Sequence, residues 1–254
     1  MAEKAVPAQE AANPPESPAP SRRERVREAT LREIKDIARR HLDAQGAPGV
    51  SLRAIAREMG MTAPGLYRYF ASHDDLIMSL QADFFGELSA AVRAADSSLP
   101  ADDVDGRISA ALRAFRAWAL ANPAEFTLLF GPPGPAHEAD GGPAVEAGRE
   151  FAAIFFALFD TLLREERFTV PAESELTPRL CRQLESFAEH TGFSATDVSK
   201  GALRVLTSCW VRLYGLVCME VFRHLSFAID DMGELFEDEL RDILSTVGVT
   251  YRAP

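Results

Sequence analysis

Residues 51–77 read SLRAIAREMGMTAPGLYRYFASHDDLI, and the order of capping, apolar and glycine residues in this stretch decides the fold. Leu52, Ile55, Ala56 and Met59 fall at i, i+3, i+4 and i+7, the buried face of a short helix that Ser51 can cap and Gly60 can end. Thr62 is the next N-cap, and Pro64 lies in the first turn, where its missing N–H would have had no helical partner. Leu66 and Phe70, one turn apart, face inward. Ser72 followed by Asp75 has the form of a capping box and opens a long helix through Leu76, Leu80, Phe84, Leu88 and Val92. A helix, a glycine stop, the buried Met61 and a new cap make a helix-turn-helix. Its second helix rests on Ile37, Ile55 and Met59 and leaves its outer face for DNA.

That outer face carries Thr62, Ala63, Pro64, Gly65, Tyr67, Arg68 and Tyr69. The small residues at 63–65 let the helix end press into a major groove of ~12 Å width. Tyr67 and Tyr69 can donate hydroxyls to phosphates, and Arg68 can reach a phosphate or the O6/N7 edge of guanine. The helix starts at Ser51 and Ser72 add backbone N–H groups for phosphate oxygens. Arg39 and Arg57 read as solvated or ion-paired surface residues. The basic run 21–27, SRRERVR, has two readings: a helix surface shared with Glu24 and Glu28, or an arm reaching the minor groove.

Outward from this segment, apolar residues recur at three- and four-residue spacings and strand signals are weak, so the chain is expected to be all-α, with about nine helices. A first helix runs through Val26, Ile34, Ile37, Ala38 and Leu42 to Gly46. Later helices are expected at 102–121, 123–130, 143–167, 176–191, 195–224 and 231–247. Residues 1–20, rich in Ala, Pro and Glu, read as a disordered tail, 21–78 as the DNA-binding domain and 79–250 as a helical regulatory and dimerisation domain.

The formal net charge of -11 argues against nucleic-acid binding only when the chain is treated as one unit. Residues 21–80 hold 11 basic and 8 acidic side chains, a net of +3, and the rest carries -14. Three cysteines without a CxxC pair suggest reduced thiols in a cytoplasmic, nucleoid-associated protein. The apolar stretch 202–222 is interrupted by Arg204, Arg212 and Glu220; Arg212 at mid-bilayer would cost about 2.5–3.5 kcal/mol, so no membrane partner is expected.

The segment 51–77, with Leu66-Tyr67-Arg68-Tyr69-Phe70 at its centre, resembles the DNA-binding domain of the TetR family of bacterial repressors over about residues 25–78. The resemblance implies DNA-facing roles for Arg53, Thr62, Ala63, Pro64, Gly65, Tyr67, Arg68 and Tyr69, with Arg53, Pro64 and Arg68 touching bases. Where the family usually has a phosphate-contacting lysine this chain has His73, whose neutral imidazole implies a weaker contact. The segments 122–131 and 210–215 resemble, more loosely, the C-terminal domain of a WHG-like subgroup.

The helix through Leu203, Val205, Leu206, Trp210, Leu213, Tyr214 and Val217 is apolar nearly all round, so one side is expected to meet the core and another a second subunit. Leu235, Phe236, Leu240, Ile243 and Leu244 of the last helix read as the partner surface. The resemblance implies the same: dimerisation through the last two long helices, holding two recognition helices on a palindromic double-stranded operator. Trp118, Phe126, Phe130, Phe155, Phe159 and Trp210, with Phe115 and Phe156, are aromatic enough to line a cavity for a small apolar or amphipathic effector, and a loop at 131–143 would cover its entrance. Arg212 needs a partner; an acidic residue is favoured over a ligand carboxylate. Glu220 and His224 lack further metal ligands, so neither a metal nor a cofactor is expected. No Gly-rich phosphate loop, GxSxG or HExxH motif supports an enzyme. The remaining alternative is a helical small-molecule-binding or interaction protein without sequence-specific DNA binding.

Overall fold

Ser21 and Glu24 close a capping box that starts α1, Arg22–Gln45; its Ser21 Oγ accepts from the Glu24 N–H, and the Glu24 carboxylate accepts from the Ser21 N–H at 2.6 Å. In this computed structural model, residues 21–132, 141–191 and 198–254 are described, and the expected tail at 1–20 lies outside them. The helix-turn-helix follows as α2, Leu52–Glu58, and α3, Ala63–Leu66. α4, His73–Ser97, runs without a break across the expected domain boundary at residue 78. The regulatory half holds α5, Val104–Ala121; α6, Pro123–Phe130; α7, Pro143–Arg164; α8, Pro178–His190; α9, Lys200–Val221; and α10, Gly233–Thr246. The described residues thus contain ten α-helices rather than about nine, and no strand.

Most of the core is one continuous apolar cluster. It runs from Ile34, Leu42, Ile55 and Leu66 in the DNA-binding half, along Leu80, Phe84 and Leu88 of α4, to Phe115, Phe126, Leu162, Val217 and Phe236. The two halves are also pinned by polar contacts. Arg39 of α1 pairs with Glu125 of α6 at 2.6 Å and with Glu87 of α4 at 2.7 Å, and also reaches the Asn122 side-chain oxygen at 3.3 Å. Arg39 is therefore an ion-paired residue, as read from the sequence, but one that joins the two domains. The Gln81 amide of α4 donates to the Leu128 carbonyl at 3.0 Å; the residue four further on, Pro132, has no N–H to offer that carbonyl.

At the other end of the molecule, Arg113 of α5 and Tyr251 clasp Glu237 of α10. Gly248, at φ +68, lies so close to the Arg167 backbone that a Cβ there would stand 2.0 Å from its carbonyl oxygen. Arg167 in turn holds the Gly248 carbonyl through its guanidinium.

Two expectations about the interface need correction. Phe236, Leu240, Ile243 and Leu244 of α10 are 0–3% exposed in the chain's own core and cannot form a partner surface; of the five residues expected there, Leu235 alone is half-buried. Leu213, on the helix expected to meet a second subunit, is 2% exposed for the same reason and faces the core. The outer stripe of α9 is instead Arg204, Ser208, Val211, Gly215 and Met219, with Val211 61% and Met219 43% exposed. α9 has the length and composition of a membrane span, yet its inner side packs on α5, α8 and α10.

Candidate nucleic-acid interface and apolar cavity

Gly60 makes the turn of the helix-turn-helix. It takes φ +65 with open space around the site of a Cβ, and the Met61 N–H reaches back to the Ala56 carbonyl at 2.8 Å, closing α2 in a Schellman-type turn. Thr62 then caps α3, its Oγ1 accepting from the Gly65 N–H at 3.3 Å. Leu66 and Phe70 are buried beneath, which fixes the opposite side as the outer one.

On that side Arg53, Thr62, Pro64, Tyr67, Arg68 and His73 are exposed, while Ser51, Ala63, Gly65 and Tyr69 are half-buried. Ser51 is the N-cap of α2, its hydroxyl 3.5 Å from the Ala54 N–H. Tyr69 packs against the core, and the Arg27 guanidinium lies 5.3 Å from its ring centroid. The start of α4 is electrostatically mixed. His73 Nδ1 stands 3.2 Å from the Asp74 carboxylate, and Ser72 and Asp75 already cap each other's N–H groups. A phosphate there would face two carboxylates, Asp74 and Asp75, besides the imidazole.

The aromatic residues of the regulatory half do not share one role. Phe130, Phe155 and Trp210 line a cavity of about 190 Å³ together with Phe85, Phe151, Phe156 and Phe187. Phe159 lines a smaller one of about 80 Å³ on the far side of Trp210. Phe126 is fully buried and Trp118 nearly so; both pack in the core and line neither cavity. Phe85, Phe151 and Phe187 were missed from the sequence: α4 and α8 meet α7 only in three dimensions, whereas Phe151, one turn before Phe155 on α7, could have been found from that spacing. Phe151 and Phe155 meet edge to face at 5.4 Å, and Trp210 stacks on Tyr214 at 5.9 Å. The Tyr214 hydroxyl donates to the Phe130 carbonyl at 2.5 Å; burial and the neighbouring Cys218 push its pKa up to about 12, so it stays a neutral donor.

Among the described residues, none that lines the 190 Å³ chamber is charged. An adjoining cavity of about 300 Å³ shares Phe85, Gly148 and Thr191 with it and adds the apolar Met78, Leu129, Ala144 and Val145 besides Gln81, Arg149 and His190, so the apolar interior opens beside a vestibule that carries a few polar groups. Gly141 lines this vestibule; the rest of the expected covering loop, at 133–140, lies outside the described residues. Arg212 pairs with Glu239 of α10 at 3.0 Å, the acidic partner expected for it, and Glu220 is held by Arg116 at 2.5 Å.

Two family models match the chain. Residues 34–80 match the family described as bacterial regulatory proteins, tetR family, and residues 108–243 match the tetracyclin repressor-like C-terminal domain. The HTH-type transcriptional regulator Rv1816 of Mycobacterium tuberculosis is 30% identical over 89% of this chain and 95% of its own length, and Mb1846 of Mycobacterium bovis is equally similar. Among solved structures, that of the regulatory protein SCO4313 superposes with a TM-score of 0.68 at 30% identity, covering 89% of this chain and all of its own. A tetR family regulator from Shewanella sp. PV-4 shares the fold, with a TM-score of 0.53 at 18% identity over 85% of this chain and 95% of its own. With a helix-turn-helix at one end, a helical domain matched over most of its length at the other, and full-length regulators as relatives, the chain belongs to the TetR family of DNA-binding transcriptional regulators.

Proposed function

We propose that the protein is a homodimeric cytoplasmic repressor that holds a palindromic operator through two copies of α3 and leaves it when a small apolar or amphipathic molecule enters the aromatic cavity. The observation that carries the DNA half of this reading is the exposed row Arg53, Thr62, Pro64, Tyr67 and Arg68 over a buried Leu66 and Phe70. A single α3 reads too few base pairs for specificity, and a two-fold dimer doubles the readout on a palindrome. The outer stripe of α9 suits the second copy: it is apolar at Val211 and Met219, and bare at Gly215.

The effector reading rests on the uncharged aromatic chamber and the few polar groups of its vestibule, which favour a ligand with an apolar body and one polar end near Arg149. A ligand that prefers one spacing of the two α3 helices shifts the dimer away from the operator-binding form. Selection from random-sequence DNA, followed by gel shifts, tests the reading. Enrichment of a palindrome supports it, and no preference over unrelated duplex at moderate salt overturns it. Arg68→Ala is expected to weaken operator binding by about 1–3 kcal/mol if Arg68 reads a base, with unchanged helical circular dichroism. A loss of the helical signal would instead make Arg68 a structural residue.

A further inference from the structure

α1 is longer than its packing requires. Its first buried residue is Ile34, and from Arg22 to Ala29 every residue is exposed, so its first two turns stand beyond the core. Residues 22–33 contain five arginines and three glutamates, and one of these, Glu24, is engaged in the capping box. A capping box orders a helix end that makes no core contact of its own, and so keeps the projecting segment helical to its tip. This removes the minor-groove arm for residues 22–27: a groove about 6 Å wide does not admit a helix.

The direction of the projection is fixed by two contacts. Leu31 packs against the core, and Arg27, one turn earlier on the same stripe, lies against Tyr69 immediately after α3. Arg23 is one turn further out on that stripe, about 6 Å along the axis. The stripe Arg23–Arg27 therefore continues the surface of Tyr67, Arg68 and Tyr69 outward, with the charge that complements a phosphate backbone.

We infer that the projecting first turns of α1 form a rigid phosphate clamp in which Arg23, beside Arg27, grips the DNA backbone flanking the segment read by α3. The inference rests on the operator-binding reading above and adds to it a longer footprint and a steeper salt dependence. Each phosphate neutralised contributes about 0.9 to the slope of log K against log salt, so a dimer that loses Arg23 on both subunits loses about 1.8.

The test uses the full chain and its selected operator, with affinity measured by fluorescence anisotropy across a salt series. Arg23→Ala is expected to lower the slope by about 1.8 and to weaken binding several-fold on a long duplex. On a duplex trimmed to the two half-sites, wild type and variant should converge. Arg164→Ala, which removes one charge from the exposed end of α7, is the control and should leave the slope unchanged. If the wild type binds no duplex, the operator reading fails. If it binds and Arg23→Ala keeps the wild-type slope, or loses no more than Arg164→Ala does, the clamp alone is overturned. Arg23 is exposed and outside the core, so both variants should keep the wild-type melting temperature, which checks that the slopes compare folded proteins.

Discussion

Two residues with the same unusual backbone show how local chemistry sets helix ends here. Gly60 and Glu166 both adopt positive φ, +65 and +51, just past a helix C-terminus. For Gly60 there is no steric cost, whereas Glu166 carries a Cβ into the left-handed region, at roughly 1–2 kcal/mol. Glu166→Gly is therefore expected to stabilise the protein by about 0.5–1 kcal/mol, less than the full relief because glycine also widens the unfolded ensemble. Gly60→Ala should destabilise by about 1 kcal/mol although nothing lies within 4 Å of the new Cβ, since the penalty is in the backbone. Opposite shifts of about 1–4 °C in thermal unfolding check the pair. The same feature explains where helix boundaries were legible in the sequence. Ser51, Thr62 and Ser72 announce helix starts and Gly60 a stop, and all four hold. The ends expected at 167 and 224 fall three residues early, at Arg164 and Val221, because Glu166 and Arg223 make the left-handed caps that sequence patterns assign to glycine.

Among elements, α9 and α10 mark the limit of what periodicity conveys. A helix apolar all round announces burial on several sides, but which residue meets which neighbour depends on how α5, α8 and α10 are arranged around it. Trp210 and Phe155 were readable as cavity candidates because they are large aromatics in strongly apolar helical segments. The lining from Phe85 and Phe187 was not, since no local signal links α4 to α8. The exposed stripe of α9 decides which mutation tests the dimer. Val211→Glu, on the exposed stripe, is expected to give a folded monomer with operator binding reduced at least tenfold, as judged by sedimentation and gel shift. Leu213→Glu would bury a charge and unfold the subunit, so it reports on the core. An unchanged sedimentation profile for Val211→Glu would remove α9 from the interface. α10 is tied to α5 by an ionic contact with its own pH signature. The Arg113 guanidinium, at 2.6 and 2.9 Å, and the Tyr251 hydroxyl hold the Glu237 carboxyl below its ordinary value of 4.5. A depressed folded pKa contributes stability that is complete above the unfolded value and is lost as pH falls through the folded one. Glu237→Gln should thus cost about 1–2 kcal/mol at pH 7, and the gap to wild type should close only below about pH 4.5. A gap that closes near neutrality would show that Glu237 is not the titrating group.

At the scale of the molecule, the proposed release by an effector needs a route from the cavity between α4, α6, α7, α8 and α9 to α3. The short helix α6, like α4, contacts both the DNA-binding half and the cavity. Its N-terminal end meets the DNA-binding half through Glu125 and Asn122, both on Arg39, and Arg39 also holds Glu87 of α4. Its C-terminal end is held by Gln81 of α4 on the Leu128 carbonyl and by Tyr214 of α9 on the Phe130 carbonyl. Phe130 lines the aromatic chamber and Gln81 the vestibule, so a ligand filling both would meet one donor that holds this end of α6, Gln81, and the residue whose carbonyl Tyr214 holds. Burial disfavours charge on Arg39, but its two carboxylate partners outweigh that effect and hold its pKa above the ordinary value, so Arg39 stays charged at all physiological pH. Arg39→Ala leaves Glu125, whose side chain is 5% exposed, without its cation and should destabilise the fold by about 3 kcal/mol. Arg39→Ala with Glu125→Gln removes that buried charge and should recover most of the loss, yet leave the two halves uncoupled. Coupling between effector and operator is typically 1–3 kcal/mol, a factor of about 5–150 in operator affinity. In the double variant that factor should fall towards one, with operator affinity in the absence of effector nearly unchanged. Measuring operator affinity with and without an inducing compound, in wild type and double variant, decides the matter. A double variant released as fully as wild type would mean that the signal travels along α4 alone.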